Sequence, residues 1–125
     1  MPVRVKDLLD AAHAAVPRVG AEEARRLQAE GALIVDVRDG TEVAASGKVP
    51  GALHVSRGLV EFKADPESPS RDPAFDPERP VILYCASGGR SALAGKLLRD
   101  MGYRDVRNLG AFKDWVEQGG AVEKG

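Results

Sequence analysis

Cys85, the single cysteine of this 125-residue chain, directly follows four apolar residues, 81–84, of the kind that favours a β-strand. After it come a loop of small residues with two adjacent glycines, Gly88 and Gly89, and a segment, 91–98, with the composition of a helix. The backbone N–H groups of such a loop and the dipole of the following helix both lower the pKa of a thiol. Because the thiolate is the nucleophilic form of cysteine, this arrangement predicts a reactive thiol.

The alternative interpretation of Cys85 is a buried apolar residue without chemistry, which is common for a lone cysteine. The loop that follows it favours catalysis over this alternative. One cysteine excludes an internal disulfide and any metal site built from several cysteines. The two histidines, His13 and His54, do not complete a metal site with it, so we expect neither a metal nor a cofactor.

The composition limits the partners of the chain. The formal net charge is −1 with 30% charged residues of both signs, which argues against a nucleic-acid partner. No apolar run approaches the ~20 residues that span a membrane. The first residues lack the apolar core of a signal peptide, so we expect a cytoplasmic protein.

Strand-like segments alternate with helical ones, a pattern that predicts an α/β fold with a parallel sheet and helices on both faces. The apolar runs 33–37 and 81–84 are expected as central strands, with shorter strands at 52–55 and 103–109 and a very short strand or extended lead-in at Arg18 and Val19. Apolar residues at helical spacing before Pro17 predict a helical extension over residues 1–17, followed by one domain over residues 18–125.

Ligands of parallel sheets bind outside the carboxyl ends of the strands. Three such ends carry polar or small residues: 36–38, 56–58 and the segment that starts at Cys85. We therefore expect these three segments to converge on one site. Asp36 and Arg38 are interpreted as a structural ion pair, with Glu42 as a candidate third member, because a thiolate needs no strong base beside it.

Several segments match a known family through their order and spacing, namely 33–38, 47–55 and 81–91, followed by Leu109, Gly110 and Trp115 near the end. Together they resemble the rhodanese family of sulfurtransferases in its single-domain form. The resemblance covers about residues 18–122. It implies a rhodanese-like, mainly parallel sheet of five strands with helices on both faces. It also implies that Cys85 accepts sulfane sulfur as a persulfide and passes it to a thiophilic acceptor.

In that reaction Cys85 attacks the outer sulfur of a small anionic donor such as thiosulfate, and cyanide or a thiol such as glutathione then removes the sulfur. We expect the backbone N–H groups of the loop to bind the anionic sulfur, with Gly88 and Gly89 keeping side chains out of the pocket. The loop residues in this prediction are Ala86, Ser87, Gly88, Gly89, Arg90 and Ser91.

Three side chains near the loop have more than one interpretation. Arg90 binds the donor, holds the loop through backbone carbonyls, or is a plain surface arginine. The Ser87 hydroxyl either donates to the persulfide or is simply small enough for the loop. Arg57 either adds positive potential at the mouth of the pocket or is a solvated surface residue.

Two other functions stay open. A sulfur-relay module would pass the persulfide sulfur to a protein partner. Phosphatases and arsenate reductases related to this fold carry His-Cys, five residues and an arginine, whereas here Tyr84 precedes Cys85, four residues separate Cys85 from Arg90, and Ser91 stands where their arginine would be. The shorter loop favours a single sulfur atom over a tetrahedral oxyanion. The sequence does not distinguish a monomer from a homodimer.

Overall fold

The computed structural model describes residues 2–125, in which helices and strands alternate along the chain. The strands are β1 (Leu33–Asp36), β2 (Leu53–His54), β3 (Val81–Cys85) and β4 (Val106–Ala111), and all paired neighbours run parallel in the order β2-β1-β3-β4. The α-helices are α1 (Val5–Ala15), α2 (Ala21–Ala29), α3 (Gly40–Ser46), α4 (Val60–Ala64), α5 (Gly89–Asp100) and α6 (Phe112–Glu117), and a 3₁₀ turn (Arg57–Leu59) precedes α4. The predicted α/β class with a parallel sheet is confirmed.

The two faces of the sheet are both covered, because alternate residues of β1 and β3 enter different hydrophobic cores. Val35 packs in one core with Leu98 of α5. Ile34, the residue before it, packs in the other core with Trp115 of α6. Every residue of β1 and β3 is buried, which explains why the sequence shows continuous apolar runs there.

The five strands that the resemblance implied are wrong: within residues 2–125 the sheet has four strands, and Arg18 and Val19 form the extended lead-in and not a strand. Arg18 forms only an isolated parallel bridge with Asn108 of β4, in which the Asn108 N–H donates to Pro17 O at 2.8 Å and the Val19 N–H donates to Asn108 O at 3.1 Å. Pro17 has no N–H with which to extend the pairing, and Gly20 is already the N-cap of α2. The pairing therefore stops after one residue.

Helix α1, within the predicted extension, packs along α5. The position of an added Cβ on Gly95 of α5 lies 3.1 Å from both methyl groups of Val16, so the missing side chain lets the two segments approach closely. Val16 is also part of the core that contains Val35. The domain boundary after residue 17 stays a prediction. Within residues 2–125, no helix has the length and apolarity needed to cross a membrane.

The predicted Asp36–Arg38 ion pair is confirmed at the end of β1. Arg38 Nη2 lies 2.7 Å from Asp36 Oδ2, and the two side chains are 3% and 0% exposed. Arg38 also donates to Ser46 Oγ at 2.7 Å and to Gly47 O at 2.6 Å. Both charges are thus paired inside the protein, and the pair joins β1 to the end of α3.

Removal of one member of this pair leaves the other charge buried without its partner. We expect Asp36→Ala to lower the free energy of unfolding by about 3–5 kcal/mol, measured by urea denaturation of the full chain. The control is Asp100→Ala, which removes an exposed partner of Lys96 and should leave the urea midpoint nearly unchanged. Equal decreases in the free energy of unfolding of the two variants would contradict a special cost of breaking the buried pair.

Candidate active site

Cys85 ends β3, and its side chain lies in a buried position at the start of the loop that leads into α5. Its Sγ accepts hydrogen bonds from the Gly88 N–H at 3.0 Å and the Ser91 N–H at 3.4 Å. The Ser91 Oγ lies 3.5 Å from the same sulfur. Burial alone would fit the alternative of an inert thiol. An inert thiol does not need hydrogen bonds from backbone N–H groups, whereas the sulfur of Cys85 accepts two.

Burial raises the pKa of the Cys85 thiol, and hydrogen bonds with the Ser91 hydroxyl and with the backbone N–H groups of Ser91, Ser87 and Gly88 together lower it by more. The net pKa therefore lies below the ordinary value of a cysteine thiol. This is the direction expected for a nucleophilic cysteine.

Gly88 makes this loop conformation accessible. It is the N-cap of α5 and has a φ of 96°, a left-handed conformation that favours glycine. A Cβ added to Gly88 would also lie 3.4 Å from the Cα of Gly110 on β4. Gly110 has a φ of 92°, and a Cβ there would collide with the guanidinium of Arg18. The left-handed conformations of these two glycines place the first turn of α5 beside the sulfur.

Arg90 is turned toward α3 and forms a bidentate ion pair with Glu42. Nη1 lies 2.7 Å from Oε1, and Nη2 lies 2.9 Å from Oε2. Each side chain of the pair is about one-third exposed. The pair holds the first turn of α5 to α3. Arg90 therefore contacts a carboxylate and not the backbone carbonyls of one of its interpretations. Glu42 was the candidate third member of the Asp36–Arg38 pair, but its partner is Arg90.

The three predicted segments do meet at the carboxyl edge of the sheet. The Val37 N–H donates to Tyr84 O at 3.0 Å, and the Arg57 N–H donates to Val37 O at 3.1 Å. The Arg57 side chain pairs with Glu61 at 3.1 Å and lines a groove between α1 and α5. It therefore lies on the side of α5 that faces α1, whereas Glu42 and Arg90 join α5 to α3.

The remaining loop residues differ in exposure. Ala86 and Ser87 are exposed, Gly88 and Ser91 are buried, and Gly89 packs beside Leu9 of α1, whose Cδ2 lies 3.7 Å from the position of an added Cβ. Ala86 also borders a surface pocket, and the other residues around it are Arg38, Glu42, Ala45, Ser46, Phe112 and Lys113.

Two residues near the site were not singled out from the sequence. Lys113 places a cation beside Ala86 in the pocket just described. Asn108 is 1% exposed on β4 and contacts both Ser91 and Gly88. Asparagine is a poor strand former and is rarely buried, so its position within a strand, directly before the apolar Leu109, was the available signal.

Residues 2–125 contain no group of three or more His, Cys, Asp or Glu side chains placed to hold a metal ion. The expectation that the protein uses no metal or cofactor stays a prediction.

A family model for the rhodanese-like domain matches residues 20–118. The chain belongs to the rhodanese-like family. It is 34% identical over 113 residues to the human thiosulfate:glutathione sulfurtransferase, an alignment that covers 84% of this chain and 97% of the relative. It is 35% identical over 100 residues to the thiosulfate sulfurtransferase GlpE of Pseudomonas fluorescens, with coverages of 78% and 83%.

Among solved structures, a protein of unknown function from Rhodopseudomonas palustris, described as a possible tyrosine phosphatase, superposes with a TM-score of 0.89. It is 37% identical, and the match covers 98% of this chain and 96% of that one. The sequence relatives thus support a sulfurtransferase, as the resemblance implied, and the description of this structure keeps a phosphatase open as a second candidate.

The Glu42–Arg90 pair should be visible in the titration of Glu42, whose pKa is lowered to about 2, first by Arg90 and then by the Asp39 backbone N–H. In Arg90→Gln we expect the NMR titration midpoint of the Glu42 carboxyl to rise toward 4.5 but to stay below it, because the Asp39 N–H remains. Since the folded-state pKa is lowered, the stabilisation is complete above 4.5 and is lost as the pH falls through about 2.

The control for this titration is Arg99→Gln, an exposed arginine of the same helix, which should leave the Glu42 midpoint in place. A midpoint that stays near 2 in Arg90→Gln would show that another group lowers the pKa of Glu42.

Proposed function

We propose that the protein transfers sulfane sulfur from a small anionic donor, such as thiosulfate or a persulfide, to a thiophilic acceptor through a persulfide on Cys85. The observation that carries the proposal is the pair of N–H groups, from Gly88 and Ser91, directed at Sγ at 3.0 and 3.4 Å. Such donors stabilise negative charge on the sulfur, both as the attacking thiolate and as the leaving thiolate of the second step.

The reaction takes place in two displacements. The Cys85 thiolate attacks the outer sulfur of thiosulfate, the S–S bond of the donor breaks, and sulfite leaves with the bonding electron pair. The acceptor, cyanide or a thiolate such as that of glutathione, then attacks the outer sulfur of the persulfide. Thiocyanate or a new persulfide leaves, and the Cys85 thiolate is restored.

The outer sulfur of the persulfide needs donors of its own. The first N–H groups of a helix have no intrahelical acceptor, and the ladder of α5 begins with the Ala92 N–H donating to Gly88 O. The N–H groups of Gly89 and Arg90 are therefore available, and we assign them, with that of Ala86 in the loop, to the outer sulfur, whereas the Ser87 N–H acts on Sγ itself. Because Cys85 is buried, the donor approaches between the exposed residues of this loop.

The loop is better suited to a sulfur atom than to a phosphate. The arginine of the related phosphatases has no free counterpart in this loop, because both terminal nitrogens of the Arg90 guanidinium are bound by Glu42. Ser91, at the position where the related phosphatases have their arginine, is neutral and buried. The groups that face the interior of the loop are thus neutral hydrogen-bond donors, which suit one negatively charged sulfur atom.

Arg57 keeps a proposed supporting role. It lines the groove between α1 and α5 together with Lys96, but Glu61 pairs with Arg57 and Asp100 pairs with Lys96, so the positive potential that Arg57 adds for an anionic donor or acceptor is small. Transfer to a protein acceptor is the alternative to a small-molecule acceptor. A cytoplasmic location and the choice between monomer and homodimer stay predictions.

The persulfide is directly testable because Cys85 is the only cysteine of the chain. Treatment of the full chain with thiosulfate should add the mass of one sulfur atom, cyanide should remove it, and Cys85→Ser should show no adduct, all by intact-mass spectrometry. The matched control Ser87→Ala, which changes an exposed loop side chain, should still form the adduct. If neither thiosulfate, polysulfide nor glutathione persulfide gives an adduct, sulfur transfer through Cys85 is wrong.

The same preparation distinguishes the acceptors. A sulfurtransferase for small molecules loses the adduct rapidly to cyanide or glutathione. A relay module loses it slowly to both but rapidly to a purified protein partner.

The phosphatase alternative has its own assay. Because the loop interior provides no free arginine, we expect hydrolysis of an aryl phosphate to stay at the level of Cys85→Ser. Hydrolysis well above background that disappears in Cys85→Ser would instead support the phosphatase.

A further inference from the structure

Asn108 is the residue of β4 that reaches the surroundings of the catalytic sulfur. Its side chain is almost fully buried, and its Oδ1 lies 2.8 Å from Ser91 Oγ, which in turn lies 3.5 Å from Cys85 Sγ. A β-bulge in the pairing of β3 with β4 coincides with this stretch, since Leu83 pairs with Asn108 and Tyr84 with Gly110. Bulges redirect side chains next to functional sites.

The orientation of the Asn108 amide follows from its neighbours. The Gly110 N–H can only donate, so the side-chain atom that faces it at 2.9 Å must be the carbonyl oxygen Oδ1. The amide nitrogen Nδ2 then faces Gly88 O at 3.3 Å, to which it donates. Both contacts require the same orientation, so Oδ1 points toward Ser91.

This orientation determines where the proton of the Ser91 hydroxyl lies. The hydroxyl has one proton, and its oxygen lies 2.8 Å from Asn108 Oδ1 and 3.1 Å from Gly88 O. Neither of these oxygens carries a hydrogen, so Ser91 must donate to one of them, and Oδ1 is the closer. The lone pairs of Ser91 Oγ are then left to face Cys85 Sγ.

We propose that Asn108 is a positioning residue that holds the Ser91 hydroxyl proton away from Cys85, so that Ser91 accepts from the thiol and does not donate to the thiolate. The Ser91 hydroxyl lowers the pKa of Cys85 only if its proton points at Sγ. When Cys85 loses its proton to water, Ser91 must therefore either leave Asn108 to donate to the sulfur or keep its lone pairs against a negative charge. Either course raises the free energy of the thiolate relative to forms of Cys85 in which Sγ itself has no charge, such as the thiol.

The persulfide is one of those uncharged states, and this consequence rests on the proposed function. In the persulfide, Sγ has neither a proton nor the negative charge, which resides on the outer sulfur. The bond from Ser91 to Asn108 is then undisturbed. Asn108 therefore shifts the equilibrium with the donor toward the sulfur-loaded protein.

Charged groups on the surrounding elements do not replace this effect. Arg90 of α5 acts on Cys85 through its charge, but it is itself paired with Glu42 of α3. Asp36 and Arg38, after β1, are paired with each other. On β4 the neighbouring Arg107 is bound to Asp105 and Glu23. Asn108 is neutral, so a substitution there acts on Cys85 through hydrogen bonds and packing.

A double-mutant cycle with Ser91→Ala and Asn108→Ala separates an effect of Asn108 that passes through the Ser91 hydrogen bond from an effect of packing. The readout is the apparent pKa of Cys85, taken from the pH dependence of its alkylation by iodoacetamide in the full chain. We expect Asn108→Ala to raise the alkylation rate about two- to tenfold below that pKa, because Ser91 becomes free to donate to the thiolate. In the Ser91→Ala background the same substitution should leave the rate unchanged.

Equal rate increases with and without Ser91, no change, or a decrease after Asn108→Ala would overturn the proposal. Thermal unfolding monitors the fold of each variant. If Asn108→Ala does not fold, Asn108→Leu fills a similar volume without an acceptor, and the same outcomes apply. This readout needs no sulfur donor, so a protein that shows the coupling but forms no persulfide contradicts the proposed function and not the role of Asn108.

The loading equilibrium provides the second measurement. At a pH above the measured pKa of Cys85, with thiosulfate fixed and sulfite varied, intact-mass spectrometry reports the fraction of persulfide. Asn108→Ala should lower the sulfite concentration that unloads half of the protein by about two- to tenfold, and only when Ser91 is present. An unchanged half-unloading concentration would overturn the effect of Asn108 on sulfur loading.

Discussion

The left-handed backbone conformation of Gly88 and of Gly110 is the constraint on which the site depends. A Cβ at Gly88 would only touch the backbone of β4, at 3.4 Å, and one at Gly110 would meet the flexible end of Arg18, so the positive φ values and not the available space favour glycine at both positions. These conformations bring the first turn of α5 against the carboxyl ends of β3 and β4. As a result, the Gly88 N–H and the Ser91 N–H reach Cys85 Sγ, and Asn108 reaches Ser91. Loop, helix and strand are therefore positioned as one unit.

Two ion pairs beside this unit differ in what they contribute. The Asp36–Arg38 pair is buried, so its members are costly to separate, and Arg38 also binds the end of α3. The Glu42–Arg90 pair is one-third exposed and contributes less to stability, but it decides the direction of the Arg90 guanidinium. Helix α3 holds one member of the exposed pair and accepts from Arg38 at its end. It thereby links the end of β1 to the first turn of α5.

Local patterns predicted most of this fold, and long-range contacts account for what they missed. The apolar run before Cys85 and the glycines after it were sufficient to predict β3, the loop and the start of α5. Arg18 and Val19 form the extended lead-in and not the fifth strand that the resemblance implied, because the number of residues that pair depends on Pro17 and on the start of α2. The partner of Glu42 is 48 residues away in sequence, so spacing suggested the nearer Arg38. Asn108 acquires its contacts only when β4 lies beside α5.

The opposing influences on Cys85 have a kinetic consequence. A strongly lowered thiol pKa increases the thiolate fraction but decreases its intrinsic nucleophilicity, and the best attacking thiol has a pKa near the ambient pH. Burial raises the pKa of Cys85, and hydrogen bonds with the Ser91 hydroxyl and with backbone N–H groups lower it by more. While Asn108 holds the Ser91 proton, the hydroxyl's share of this lowering is lost, and the thiolate is stabilised by backbone N–H groups. A thiolate that is less strongly stabilised is a better nucleophile, which suits a sulfur that must attack the donor, carry the transferred sulfur and then leave.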